Sequence, residues 1–142
     1  MLEPVSKNTK QLSNKEIKDI CFLKNEKWKF GIKSQLNWFK KNVKKYDVHN
    51  LYLIKKKLIG YTLLRRRSFI INKNKKKYLL FDALIIKKKF RNQGLSKPIM
   101  NFNNKIIETN KCISFLICEK NLKNFYKKYR FKKLAKKSFI VT

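Results

Sequence analysis

Tyr78-Leu79-Leu80-Phe81-Asp82-Ala83-Leu84-Ile85-Ile86-Lys87-Lys88-Lys89-Phe90-Arg91-Asn92-Gln93-Gly94-Leu95-Ser96 is the stretch on which the fold turns. Residues 78–86 are apolar but for Asp82 and read as a buried strand. A basic loop with one glycine follows. Leu95, Ile99, Phe102 and Ile106 then recur at i, i+4, i+7 and i+11, the stripe of a long amphipathic helix. Pro98 falls in its first turn, where a missing N–H is tolerated. In such a strand–loop–helix, backbone N–H groups converge on one concavity and the helix N-terminus adds its positive dipole end. That arrangement suits a pyrophosphate. A side chain at Gly94 would hold phosphates off the backbone, and Arg91 supplies a charge-assisted contact.

Upstream, Leu51–Ile54, a Lys55-Lys56-Lys57 turn and Leu58–Leu64 read as a hairpin. A polar turn, Asn72–Lys77, leads into the strand at 78–86, so the middle of the chain is a three-stranded antiparallel meander. Downstream, Cys112–Cys118 reads as a short buried strand. A right-handed β-α-β crossover makes strands 78–86 and 113–117 parallel neighbours. Leu122, Phe125, Tyr126 and Tyr129 mark the face of another helix, and Phe131–Val141 offers one or two closing strands.

Toward the N-terminus, Ser13-Asn14-Lys15-Glu16 has capping-box spacing, and Ile17, Ile20 and Cys21 follow on one face. A helix is expected from Asn14 to Lys24. Val5–Leu12 has the poor alternation of a marginal strand. Trp28 and Phe30 sit in a connector. Ser34 caps a second helix carrying Leu36, Phe39 and Val43 and ending near Lys45. The expected class is α/β: a central mixed twisted sheet, made of an antiparallel meander and a parallel β-α-β unit, flanked by about four helices.

The chain has 142 residues, the size of a single domain spanning 1–142. With 43% hydrophobic and 13% aromatic residues it can bury a core, which excludes a disordered basic tail. No apolar run approaches the ~18–20 residues of a membrane helix, and Met1–Gln11 has no apolar core of a signal peptide. Cys21, Cys112 and Cys118 are odd in number and outside any CxxC spacing, and there is one His. These exclude a usual zinc site, and they point to a reduced, cytoplasmic protein without a metal.

The 38 basic and 8 acidic residues give a formal net charge of +30. Such a field attracts phosphate polymers. Yet Lys carries the excess rather than the bidentate Arg, and abundant Lys, Asn, Ile and Phe are what an AT-rich coding sequence writes by default. Composition therefore ranks ahead of selected nucleic-acid binding, which is expected to be non-specific at most.

The motifs resemble those of the GNAT N-acetyltransferase family. Its acyl-CoA loop, Q/R-x-x-G-x-G/A, is similar to Arg91-Asn92-Gln93-Gly94-Leu95-Ser96 behind the aromatic Phe90. Its C-terminal F/L-Y-x-x-x-G-F is similar to Phe125-Tyr126-Lys127-Lys128-Tyr129-Arg130-Phe131. Leu58-Ile59-Gly60-Tyr61 resembles a further strand signature. The likeness covers residues 50–134 well and 13–45 in element order only. Ser96 stands for the last small loop residue, and Arg130 for the glycine that usually closes the last helix at positive φ.

The resemblance implies an enzyme that moves an acetyl group from acetyl-CoA to a primary amine by direct attack. The backbone of Leu84, Ile85 and Ile86 would pair with the pantetheine arm and polarise the thioester carbonyl. The amides of Asn92, Gln93, Gly94, Leu95 and Ser96, with Arg91, would hold the pyrophosphate. Tyr126 falls at the general acid that protonates the departing thiolate; as a bare residue it is also a packing aromatic. Asp82 has two readings. On an alternating strand it shares a face with Leu84 and Ile86 and is a candidate base, or it pairs with one of the surrounding lysines at a sheet edge; the resemblance also allows deprotonation through ordered water with no dedicated base.

Other residues carry expectations of their own. Asp47-Val48-His49 lies at a strand edge and is either structural or turned to an acceptor cleft. Cys118 is expected in the core, and Arg65-Arg66-Arg67 closes the third strand, either as a solvated edge or with alternating residues facing an acidic acceptor. The acceptor is a small-molecule or peptide amine, with an anionic one favoured by the charge, and the protein a monomer or homodimer. The alternative function is a small basic RNA- or ribosome-binding protein without catalysis, although no aromatic RNA-recognition signature and no GXXG loop is present.

Overall fold

The computed structural model describes residues 1–134. Their elements run β1 (Leu2–Asn8), α1 (Asn14–Lys27), α2 (Ile32–Asn42), β2 (Val48–Ile54), β3 (Lys57–Ile71), β4 (Asn74–Ile86), α3 (Ser96–Thr109), β5 (Ile113–Leu116) and α4 (Lys123–Lys128). The five strands form one sheet in the order β1-β2-β3-β4-β5. β1 to β4 pair antiparallel, and β4 and β5 pair parallel as the crossover requires. The closing strands expected at 131–141 lie largely outside the described residues.

The helices cover both faces of the sheet. On one face Ile20, Cys21 and Leu23 of α1 and Phe39 of α2 pack with Leu51, Tyr61, Leu63, Ala83 and Ile85. On the other, Ile99 and Met100 of α3 pack with Tyr52, Ile59, Leu64, Leu79 and Phe81. Gly60 permits the close approach of α3: a Cβ there would stand 3.1 Å from Ile99 Cδ1 and 3.4 Å from the Ile85 carbonyl. Tyr52 Oη donates to the Ile99 carbonyl at 3.1 Å, and Asn50 Nδ2 donates to Asn103 Oδ1 at 3.1 Å. These bonds fix the helix over the sheet.

Several boundaries differ from the sequence expectation, each for a local reason. The Ser13–Glu16 capping box forms as read, but α1 continues one turn beyond Lys24 through residues with no apolar period. α2 starts at Ile32, not after Ser34. Gly31 adopts φ +91° and donates its N–H to Asn25 Oδ1, so a backbone device replaces the side-chain cap. The marginal strand expected at 5–12 lies at Leu2–Asn8, where backbone pairing with β2 forms it despite weak alternation. The second hairpin turn tightens to Asn72 and Lys73, both at positive φ as a type I′ turn demands. β3 therefore runs on to Ile71, and Arg65, Arg66 and Arg67 stand within the strand. Cys118 lies beyond the end of β5 and is exposed rather than core.

Candidate active site

β4 and β5 pair over only four residues, ending at Phe81 and Leu116. β5 stops there, while β4 continues to Ile86 against β3 alone. The two strands part, and one edge of β4 faces the gap. The N–H of Lys87 donates to the Ile59 carbonyl at 2.7 Å. The two-residue period then turns the N–H and C=O of Ile85 toward β3 as well. Leu84 and Ile86 point the other way, into the gap. Their carbonyls are engaged by cationic side chains: Lys27 Nζ donates to Leu84 at 3.2 Å, and Arg91 Nε donates to Ile86 at 2.8 Å. Of the three expected backbone contacts, Leu84 and Ile86 thus lie on the open edge, whereas Ile85 belongs to the β3 ladder.

The gap opens onto the loop before α3. Asn92 and Gly94 take positive φ, +61° and +75°, and a Cβ built on Gly94 would enter open space. α3 begins after Leu95, which offers no side-chain cap, and its first turn holds no acidic residue. Pro98 has no N–H, and Ile99 donates to the Leu95 carbonyl at 3.2 Å. The amides of Ser96 and Lys97 are left at an uncapped helix start, a geometry that suits a phosphate. Glu26 Oε1 accepts the Lys88 N–H at 3.2 Å and ties this loop to α1. Beside it an open cleft of about 760 Å³ is lined by Glu26, Lys29, Lys87, Lys88, Lys89 and Arg91, five of the six cationic.

Tyr126 of α4 stands at the parting. Its ring meets Phe81, the last β4 residue paired to β5, edge-on at 5.9 Å, and is flanked by Phe125 at 5.1 Å and Phe131 at 6.1 Å. Burial, with the thiol of Cys118 nearby, holds the phenol above its ordinary value. The group therefore keeps its proton at neutral pH. The end of α4 closes without glycine. Arg130 takes φ +71°, and the Tyr126 carbonyl accepts from the N–H groups of Tyr129 and Phe131. Arg130 also pairs with Glu108, and Asn104 Nδ2 donates to the Tyr129 carbonyl at 2.8 Å, anchoring α4 to α3.

Asp82 departs from the expected register. Leu63 pairs with Ala83 and Leu64 with Phe81, so Asp82 is the extra residue of a β-bulge. The bulge resets the alternation. Phe81, Leu84 and Ile86 face α3, and Asp82 turns to the α1/α2 side rather than sharing a face with Leu84 and Ile86. There Arg65 Nη1 donates to Asp82 Oδ2 at 3.1 Å, while Arg65 Nη2 donates to the Asn42 carbonyl at 3.2 Å. The Arg65 guanidinium also lies over the Trp38 ring, 5.5 Å from its centroid. Asp82 Oδ1 has no hydrogen-bond partner among the described residues, and the side chain keeps a third of its surface open.

His49 and Asp47 are structural. His49 is fully buried, with Nε2 2.8 Å from Thr9 Oγ1 and Nδ1 2.6 Å from Tyr61 Oη. Burial depresses its pKa to about 4. Asp47, also fully buried, accepts the N–H groups of Lys44 and Arg66 and pairs with Arg67 at 3.0 Å. Sequence reasoning overlooked Lys27 at the site, and it did not pick Arg65 as the partner of Asp82. Lys27 lies past the expected helix end, and Arg65 was one member of a cationic run with no signal of its own. Among the described residues no cluster of three or more His, Cys, Asp or Glu forms, and no helix is long and apolar enough to cross a membrane.

No family model matches the chain, and no curated protein matches it in sequence. Solved structures do match in shape. An acyl-CoA N-acyltransferase from Pseudomonas aeruginosa superposes with TM-score 0.74 at 16% identity, covering 96% of this chain and 90% of the other. The aminoglycoside N-acetyltransferase AAC(6')-Iy, solved in complex with CoA, gives 0.73 at 10% identity, with 100% and 95% covered. A Trypanosoma brucei acetyltransferase gives 0.72 at 13%, covering 100% of both chains. At these identities the shared property is the fold: this chain has the fold of the GNAT acyl-CoA N-acyltransferases.

Proposed function

We propose that the chain, on this acyltransferase fold and as one domain over 1–142, transfers an acetyl group from acetyl-CoA to a primary amine by direct attack. One observation carries the reading. The β4 edge at Leu84 and Ile86 is open where β5 ends, and it leads to the uncapped start of α3. The residues present fit the donor. The Leu84 and Ile86 amides face the gap where a pantetheine arm would add as a strand, and the space beside Gly94 is free for phosphate.

Bound acetyl-CoA supplies an activated acetyl thioester. The N–H groups of Leu84 and Ile86 hold its arm and polarise the thioester carbonyl. Arg91 and the amides of Asn92, Gln93, Gly94, Leu95 and Ser96 hold the pyrophosphate. Tyr126 keeps its proton at neutral pH and gives it to the departing sulfur. An alkylammonium with a pKa of ~10.4 must lose a proton before it attacks. Asp82, turned to the α1/α2 side with Oδ1 open, takes that proton, and Arg65 orients it by holding Oδ2.

The lysines and Arg91 around the cleft, and the +30 field, favour an amine acceptor that bears negative charge. Three free cysteines fit a reducing, cytoplasmic setting. The test is CoA thiol release from acetyl-CoA against matched panels of anionic, neutral and cationic primary amines, with products identified by mass. Turnover with an anionic amine supports the reading; thiol release no faster than without protein across all panels overturns it.

A further inference from the structure

We infer that the chain acetylates its own Lys27, which stands as a built-in acceptor where β4 and β5 part. The inference rests on the acetyl-CoA reading above and goes beyond it to a modification site.

Lys27 is the last residue of α1, in the turn that extends past Lys24. Its Nζ donates to the Leu84 carbonyl, on the same open edge where the donor arm would pair. The ammonium stands 4.9 Å from the Trp28 ring centroid, which guides the side chain toward β4. It makes no ion pair among the described residues. Burial holds the Lys27 amine below the ordinary lysine value, and the like charge of Arg91 adds to this, while Glu119 opposes them. A larger share of the amine is therefore neutral and nucleophilic than on an open surface. Lys24, the other lysine lowered by burial, is sealed at 6% exposure over the Trp38 ring, 3.9 Å from its centroid. Lys27 remains solvent-accessible.

The chemistry balances. An amide N–H of the donor's arm competes for the Leu84 carbonyl and frees Nζ, a short linker away from the thioester. The Lys27 ammonium first releases a proton to water. The neutral Nζ then bonds to the acetyl carbonyl carbon as the C–S bond breaks. The sulfur leaves with the bonding pair and takes up the second proton lost by nitrogen. The products are an acetamide on Lys27 and free CoA thiol.

The test incubates the full chain with acetyl-CoA, maps acetyl-lysine by peptide mass spectrometry over time, and records the melting temperature in parallel. Chemical acetylation touches every exposed lysine, so Lys27 is compared with Lys87, Lys88 and Lys89 nearby. Lys27 is expected to react at least about tenfold faster, at a rate independent of protein concentration, because the folded chain holds amine and donor together. Gly94→Glu should lose both the acetyl-CoA melting shift and this preference. A melting shift in the wild type with Lys27 no faster than its neighbours overturns self-acetylation and leaves the donor reading standing. An unchanged Lys27 preference in Gly94→Glu, with its melting shift gone, also overturns it, since reactivity alone would then suffice. No melting shift in the wild type overturns both readings.

Discussion

The Tyr126 ring stands edge-on to Phe81, 5.9 Å between centroids, at the last point where β4 and β5 are paired. This contact places a half-buried phenol at the mouth of the gap rather than in the centre of the core. Tyr126→Phe keeps the packing and removes the hydroxyl. Acetyl-CoA binding should be nearly unchanged, and kcat should fall by roughly ten- to a thousandfold. Because the folded phenol titrates above the ordinary tyrosine value, wild-type activity should keep its acid form through pH 9. Full activity of the variant across pH 6–9 would make Tyr126 a packing residue.

Asp82→Asn separates base from ion-pair partner. Loss of the partly exposed pair with Arg65 should cost no more than about 1 kcal/mol in chemical denaturation. If Asp82 takes the amine proton, the variant should lose most rate at low pH, and the acidic limb of the pH–rate profile should disappear. A stability change with an unaltered profile would leave Asp82 as the partner of Arg65 alone.

The bulge at Asp82 marks how far the sequence was legible. Apolar periods and cap spacings are local signals, so the β4–loop–α3 unit, the parallel crossover and the α1 capping box could be read directly. The face of Asp82 depends on how β3 counts against β4, and no residue type within the strand announces the extra residue. Lys27 and Arg65 act through partners about 57 and 17 residues away, Leu84 and Asp82. Their neighbours in sequence say nothing of those contacts. Arg130 shows the converse: a missing glycine left the α4 cap in question, yet the chain adopts the left-handed conformation there regardless.

Arg130 therefore carries backbone strain. Arg130→Gly relieves a positive φ, while Arg130→Ala keeps it, and both lose the exposed pair with Glu108. The Gly variant should be more stable than the Ala variant by about 1 kcal/mol in denaturant titrations. Equal stabilities would contradict the strained cap.

His49 predicts an acid-sensitive fold. Its pKa falls from 6.5 to about 4 on folding, so between those values the unfolded chain binds a proton that the folded chain does not. The contribution is fully present above pH 6.5 and is lost as pH falls toward 4, by up to ~3 kcal/mol. Melting temperature should drop across this window, and His49→Gln should flatten the drop. An identical pH dependence in the variant would remove His49 as its source.

The most direct test of the central claim is the melting temperature of the wild type and Gly94→Glu at low salt with acetyl-CoA, with ATP and heparin as polyanion controls. The account predicts a rise with acetyl-CoA well above that with either control, by mass action on a built site. Gly94→Glu should abolish it, because bulk and negative charge enter the space beside the α3 start. No shift in the wild type at millimolar acetyl-CoA, or equal shifts from ATP and heparin, would contradict the account.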